Sequence, residues 1–570
     1  APDMIIRADE PDEVPSALAM LDQMVRAGFN LAGYFSYELG YVLESRLTPL
    51  LPPNRTAPLL HFGVFGAAHP APLPRSIFAA PPPDLHPDMD ERTYMMGVRH
   101  ALALIEAGDL YQLNLTYGLR FAHNDAPALF AALLRRQPIP FAAYVTFADE
   151  RILSLSPELF FRVADGHIIT RPMKGTTARA RTLDGDLAAK IALQHDVKNR
   201  AENLMITDLM RNDLSRIAKP GSVRASSLFD IESFRTLHSL TSTVEANLCA
   251  DTTPSQLIRV LFPSGSITGA PKIRAMERIR ELEPVPRGAY TGAIGVFRGD
   301  GTACFNVAIR TITMTGNQGR LGIGGGIVAD SDPFAEAEET RLKARFLTGL
   351  SPYAADHAPF GAIETIRFER AAFVRLDRHL GRLKNSCAYF DFACDMRAIE
   401  RDLELMSPGL PELARVRLVV FEDGKHIIEH AALQEEVREW HVRVSSVQIS
   451  SFDIYRAHKT TQRGLYDEEY SAARAAGFDE VLFLNERGEI AEGSRTNLFI
   501  ERGGMLVTPP VCSGALPGVL RAQLIDTGRA LEGTLLLSDI KGCALFLGNS
   551  LRGLIPGRLA VLQSNHAPAG

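Results

Sequence analysis

The stretch Arg151–Arg179, RILSLSPELFFRVADGHIITRPMKGTTAR, decides how the first half of this 570-residue chain is read. Apolar and polar residues alternate around Asp165-Gly166, which predicts a β-hairpin over Arg151–Arg171. Residues equally far from that turn face each other, so Glu158 falls opposite Met173 and beside Lys174. Strict alternation would put Glu158 and Lys174 on opposite faces. A shared site therefore requires a bulge, or a register change at Pro157, which has no N–H to give to a ladder. A lysine on a turn is ordinarily solvated, but one beside a buried carboxyl is a candidate nucleophile.

Around this hairpin, strands and helices mix without a βαβ rhythm, so the predicted class is α+β. Leu187–Ile217 reads as one long amphipathic helix with Val197, Ala201, Leu204, Met205 and Leu209 on its apolar side. Asp332 as N-cap and Pro333 at the first helical position start another helix. Gly66–Pro87 is proline-rich and reads as a linker after a small N-terminal piece. The major boundary falls in Thr348–Gly361, giving domains over 1–350 and 361–570 joined by a linker over 351–360.

With 46% apolar and 22% charged residues and a formal charge of -6, the chain is an ordinary globular composition without a basic excess. That argues against nucleic acid and anionic membrane as partners. Cys249, Cys304, Cys387, Cys394, Cys512 and Cys543 form no C-x-x-C pair, so neither a disulfide framework nor a thiolate zinc site is expected. The uncharged runs Ala57–Pro74 and Gly503–Leu520 are broken by proline and glycine, which argues against membrane helices. The opening APDMIIRADE has no basic region leading into an apolar one, so a signal peptide is not expected and a cytoplasmic location is.

Glu336, Glu339 and Lys343 share one helix face, and Glu202 lies beside an apolar stripe, where an unpaired carboxylate is costly. Carboxylates converging from two helices suit Mg²⁺, which takes one or two protein oxygens plus water and substrate. PSGSITGAPK (Pro263–Lys272) and GGGIVADSDP (Gly324–Pro333) could present N–H groups to an anion, although tight turns explain the glycines nearly as well. The ordered set AGDLYQLNLT, SLSPELFF, RPMKGTT, KNRAENLMITDLMRNDLSR, PSGSITGAPK, NVAIRT and GGGIVADSDPFAEAEETRLKA, spanning Ala107–Ala344, resembles the chorismate-utilising enzymes. That resemblance implies a chorismate-binding domain of antiparallel sheets flanked by helices, with Lys174 as covalent nucleophile and Glu158 as general acid. It further implies Glu202 and Glu339 as Mg²⁺ ligands with Glu336 close by. Arg310 and Lys343 would hold substrate carboxylate, and Gly175, Thr268 and Gly325 would line the pocket. A lysine at 174 sets the aminodeoxychorismate branch apart from the anthranilate and isochorismate branches, which carry a small residue there. The water-activating lysine of the isochorismate branch matches Gln112. No glutaminase signature occurs, so ammonia would come free or from a separate glutamine amidotransferase.

From Gly361 onward, ETIRF, LDRHLGRLKNSCAYF, HKTTQR, DEVLFLNERGEIAEGSRTNLFI, LPGVLR and NSLRG resemble the fold-type IV pyridoxal-phosphate enzymes. The resemblance implies a two-subdomain fold and dimerisation through this half. Lys459 would carry the cofactor and move the substrate proton, and Glu492 would pair with the pyridinium nitrogen. Arg382 with the N–H groups of Gly518 and Val519 would hold the phosphate, and Thr365 would donate a proton. Together the two halves imply a bifunctional enzyme that aminates chorismate to 4-amino-4-deoxychorismate and then eliminates pyruvate to give 4-aminobenzoate, a folate precursor. The alternatives are a branched-chain or D-amino acid type transaminase as second half, or one half as a non-catalytic scaffold.

Overall fold

A computed structural model describes residues 1–71, 83–148, 150–348, 359–435, 438–540 and 542–560. The chain divides into two compact units, one of Ala1–Ala178 with Lys190–Pro352, the other of Arg179–Ala189 with Tyr353–Gly570. Parts of both expected linkers, residues 72–82 and 349–358, lie outside the described residues. Among the described residues no helix is long and apolar enough to cross a membrane. The class is α+β, with mixed helices and mostly antiparallel sheets.

The first unit holds a ten-stranded and a seven-stranded sheet. The N-terminal piece is not separate, contrary to the linker reading. Its strand Asn30–Phe35 pairs with Ala293–Phe297 in the larger sheet, Phe35 opposite Ala293. The physical reason is the core: Phe35 packs on Phe62 and Phe305, with ring centroids 4.7 Å and 5.9 Å away. Neither side of that cluster could bury its rings alone.

The hairpin about Asp165-Gly166 exists but is shorter than expected. Leu159–Ala164 pairs with His167–Arg171, and the turn residues have φ of 52° and 71°, the positive values that a two-residue hairpin turn demands. Arg151–Ser156 leaves it and pairs in the seven-stranded sheet with Phe141–Phe147 and Thr311–Thr315. The long helix also divides, into Leu183–His195 and Val197–Ser215. Asp196 is an N-cap that accepts a hydrogen bond from Asn199 N–H at 2.7 Å, so the carboxylate satisfies a donor that continuous helix would not leave free. The buried face of the second helix is Asn203, Ile206, Thr207, Met210 and Leu214, not the expected one, and Val197 is 82% exposed. Asn203 is buried because its amide donates to the Leu240 carbonyl, a partner invisible to hydrophobic periodicity. Asp332 does cap the helix Pro333–Thr348, accepting from Phe334 and Ala335 N–H at 3.0 Å and 2.9 Å.

A buried ion pair ties the two sides of this unit's site together. Glu283 accepts from Arg287 Nε and Nη2, both at 2.7 Å, and from Thr116 N–H at 2.7 Å. Arg287 in turn donates to the Asn114 and Ile267 carbonyls at 2.7 Å and 2.9 Å. The strand Gln112–Ala122 and the turn Gly265–Ile267 are thereby locked to one guanidinium.

The second unit has a four-stranded antiparallel sheet, whose centre is Gly361–Glu369 paired with Leu413–Phe421, and an eight-stranded sheet that includes parallel pairs. The two sheets match the expectation of two subdomains.

The Glu283→Ala variant leaves Arg287 buried and uncompensated, which costs about 3–5 kcal/mol. Denaturant unfolding should show that loss, and hydrogen exchange should quicken along Gln112–Ala122.

Candidate active sites

In the first unit, the irregularities that the Glu158–Lys174 pairing required occur twice. Register shifts between Leu159 and Arg162 on one strand pair, and between Met173 and Thr176 on the other. Gly175 follows the lysine with φ +86°, and an added Cβ there would stand 2.7 Å from Asn199 Oδ1. The second bulge re-aims Lys174 so that its amine and the Glu158 carboxyl feel each other's charge.

Gly324–Gly326 do not form a turn; they lie within the ten-residue strand Gln318–Ile327, paired along its length with Gln112–Ala122. The glycines are there for space. A Cβ on Gly326 would sit 2.6 Å from Lys174 Nζ and 2.9 Å from Gln112 Nε2, and one on Gly325 would sit 2.9 Å from Glu336 Oε2 and 3.9 Å from Lys343 Nζ. Amine, amide and carboxylate thus press against bare backbone. The Pro263–Lys272 segment does turn, through Gly265–Ile267, and buries Thr268, whose hydroxyl donates to the Ser264 carbonyl at 3.0 Å.

The electrostatics separate the groups by role. Burial pushes the Glu158 carboxyl up to about 7, against the pull of a Ser266 hydrogen bond and of Lys174. Burial lowers Lys174, aided by the Lys343 charge and opposed chiefly by Glu202. At neutral pH an acid that keeps much of its proton faces an amine whose proton is loosened. Burial lowers Arg310 to about 10, and its Nη1 is buried without a partner among the described residues, as suits a group that takes an anion. Gln112 is likewise buried with both amide atoms unpaired.

Glu202 and Glu336 are raised by burial, whereas Glu339 is lowered by Lys343, whose Nζ lies 2.8 Å from it and 2.7 Å from the Gly324 carbonyl. Lys198, which the motif reading passed over, also acts on all three carboxylates. Among the described residues no group of three or more His, Cys, Asp or Glu is gathered closely enough to hold a metal ion. A resident Mg²⁺ would therefore take at most two carboxylates here and fill its octahedron with water and substrate, which is that ion's habit.

The second unit encloses a cavity of about 810 Å³ lined by Thr365, Arg382, Lys459, Glu492, Gly518 and Val519 among others, so the structure gathers every residue expected there. Lys459 is held by backbone: its carbonyl accepts from Ile363 N–H at 2.7 Å, and Thr460 bridges Ala362. Burial, then the charges of Arg463 and Arg382, bring its amine down to about 7. Glu492 accepts from Tyr466 Oη and from Leu516 N–H, each at 2.9 Å, and burial raises it.

Arg382 is engaged in both directions by a carboxylate that the motifs did not single out. Its Nε and Nη2 donate to Glu364 at 2.9 Å and 2.7 Å, His379 Nδ1 lies 2.6 Å from the same carboxylate, and His379 Nε2 lies 2.8 Å from Ser550 Oγ. Burial alone would raise Glu364, but Arg382 and His379 override it and hold it at about 2. The spacing of His379 and Arg382, i and i+3 on the helix Leu376–Tyr389, was a usable signal for a shared partner. Gly518 N–H is taken by the Leu516 carbonyl at 2.8 Å, and Val519 opens the helix Val519–Asp526. Thr365 stands opposite Arg417 on the neighbouring strand.

Residues 66–349 match the chorismate binding enzyme family and residues 361–560 the amino-transferase class IV family. Over 243 residues the chain is 46% identical to aminodeoxychorismate synthase component 1 of Salmonella typhimurium, covering 42% of this chain and 54% of that protein. It is 39% identical over 242 residues to anthranilate synthase component 1 of Neisseria meningitidis, covering 42% of this chain and 49% of that one. The chain thus spans about half the length of these curated relatives. Among solved structures, anthranilate synthase component I from Streptococcus pneumoniae superposes with a TM-score of 0.54 at 25% identity, over 61% of this chain and 90% of that one. With geometry and likeness in agreement in each half, the chain joins a domain of the chorismate binding enzyme family to a domain of the amino-transferase class IV family.

Proposed function

We propose that the first unit aminates chorismate at ring carbon C4 and that the second turns the product into 4-aminobenzoate and pyruvate. The observation that carries this reading is the amine of Lys174 pressed against Gly326, its proton loosened by burial, beside a Glu158 carboxyl raised to about 7. Glu158 gives its proton to the departing C4 hydroxyl, which leaves as water, while Lys174 nitrogen bonds to the conjugated ring. Ammonia then bonds at C4 and the lysine–ring bond breaks, its electrons returning to Lys174. Arg310 and Lys343 hold substrate carboxylate, and Gly175, Thr268 and Gly325 leave the ring its room. Mg²⁺ held by Glu202 and Glu339, with Glu336 adjacent, would neutralise a substrate carboxylate. Ammonia comes free or from a separate glutamine amidotransferase, and the compartment is the cytoplasm.

The residues of the second cavity fit pyridoxal phosphate: a lysine near neutrality, a carboxylate held for a pyridinium, and Arg382 beside the helix start at Val519. Bound there, the cofactor would supply an electron sink. Lys459 takes the proton from the amine-bearing ring carbon, and Thr365 serves the departing enolpyruvyl oxygen. The lyase reading is favoured over a branched-chain transaminase by the cavity wall, where Arg415, Arg417, Arg456, Arg463 and Arg495 face the space. Guanidinium groups suit a substrate with two carboxylates and would have to be desolvated by an aliphatic side chain. Dimerisation through this unit is part of the proposal.

Chorismate with ammonium, Mg²⁺ and pyridoxal phosphate should yield 4-aminobenzoate and pyruvate by chromatography; anthranilate as the product would overturn the C4 assignment. Lys174→Ala should lower amination by at least about 10²-fold, the scale of a lost nucleophile or proton-transfer group. Because Glu158 must carry its proton, kcat/KM for chorismate should fall as pH rises through about 7, and Glu158→Gln should be inactive throughout. Arg417→Leu should raise KM for 4-amino-4-deoxychorismate about tenfold or more, as for the loss of a charged hydrogen bond; an unchanged KM would remove the carboxylate argument.

A further inference from the structure

The second unit includes a short stretch far removed in sequence from the rest of it, Arg179–Ala189. Within that stretch Arg179 and Asp186 pair at 2.6 Å with both side chains 2% exposed. Arg179 does more than neutralise its partner. Its Nη2 also donates to the Tyr389 carbonyl at 2.5 Å, and the guanidinium carbon sits 3.8 Å from the centre of the Tyr389 ring. That ring lies 4.2 Å from the ring of His458, and His458 Nδ1 is 3.0 Å from Ser386 Oγ. His458 is the residue immediately before Lys459.

Arg181 braces the opposite wall. Its Nη1 donates to the Val511 carbonyl, while Nε and Nη2 are buried without a partner among the described residues. Val511 begins the turn that leads to Leu516, whose N–H holds Glu492. The charges of both arginines act on His458 and, with burial, push it down to about 4, so its ring is neutral near pH 7.

We propose that Arg179 and Arg181 are positioning residues of the second cavity: Arg179 fixes the backbone from which Lys459 projects, through Tyr389 and His458, and Arg181 fixes the turn that presents Leu516 N–H to Glu492. The bland reading is a buried ion pair that serves folding alone. Such pairs are poor stabilisers, since desolvation offsets most of their attraction. Here, moreover, the segment's two guanidiniums end on the supports of the two groups that the cofactor reading needs. The inference rests on that reading, with Lys459 as cofactor lysine, and deepens it by making residues far upstream part of the second site.

The test uses the full chain. Trp440 is the only tryptophan of the chain and lines the cavity, so quenching of its fluorescence by added pyridoxal phosphate gives a dissociation constant. The visible absorption band of the bound cofactor reports its surroundings. Arg179→Ala should weaken binding about tenfold or more and shift the band, with Arg179→Lys recovering part of the loss. Arg181→Met should bind but with an altered band and a lowered kcat at little-changed KM. Ile399→Ala, a core change in the same unit, serves as a destabilised control that lowers the unfolding temperature without moving the band. Should Arg179→Ala fail to fold, Arg181→Met and Arg179→Lys carry the test. Variants that bind and absorb like the unaltered chain would overturn this inference alone. An unaltered chain that never binds the cofactor would overturn the cofactor reading and this inference with it.

Discussion

Three successive α-carbons without side chains set the terms of the first site. Gly324, Gly325 and Gly326 run along a strand where any Cβ would collide, with Thr116, Glu336 or Lys174 respectively. A strand normally loses from glycine, through backbone entropy and missing side-chain contacts. That loss is offset by ten consecutive pairings with Gln112–Ala122, itself locked by Glu283 and Arg287. Bare backbone lets an amine, an amide and several carboxylates crowd into a volume where side chains would otherwise keep them apart. Most of what is distinctive about the charges there follows from that crowding.

The two units use the same residue types to opposite ends, and the surroundings decide which. Glu158 and Glu364 are both buried glutamates on or beside a strand. The first has one hydroxyl and a distant amine for company and rises to about 7; the second has a guanidinium and an imidazole and falls to about 2. One is a proton donor near neutrality, the other a permanent anion that orients Arg382. The lysines converge by different routes: Lys174 is lowered by burial with Lys343 near it, Lys459 by burial with two arginines near it. Opposing carboxylates temper both shifts, so neither lysine is left as a bare hydrophobic amine.

Local grammar was legible in the amino-acid order, and through-space partnership was not. The positive-φ turn at Asp165-Gly166 and the cap at Asp332 depend on neighbours within a few residues, and both stand where expected. The helix break at Asp196 had the same kind of signal and was overridden by an apolar run that looked continuous. The wrong face was then assigned to Val197–Ser215 because Asn203 and Thr207 are buried for hydrogen bonds, which a hydrophobic pattern counts against burial. The ordered motifs led to Lys174, Glu158, Lys459 and Glu492 as residues that the structure sets in enclosed, charge-coupled surroundings. The partners that tune them, Ser266, Tyr466, Glu364 and His379, are distant in sequence and carry no local mark.

The double irregularity around Lys174 gives this region an uneven tolerance to change. Successive side chains on a strand point to opposite faces, and the shifts at Leu159–Arg162 and Met173–Thr176 decide on which face the amine emerges. Exchanging a neighbouring side chain for another of similar bulk leaves that parity alone. Inserting or deleting one codon between the two shifts would turn the amine away from the glycine strand altogether. Natural drift and laboratory diversification of this stretch are therefore confined to point exchanges at constant length.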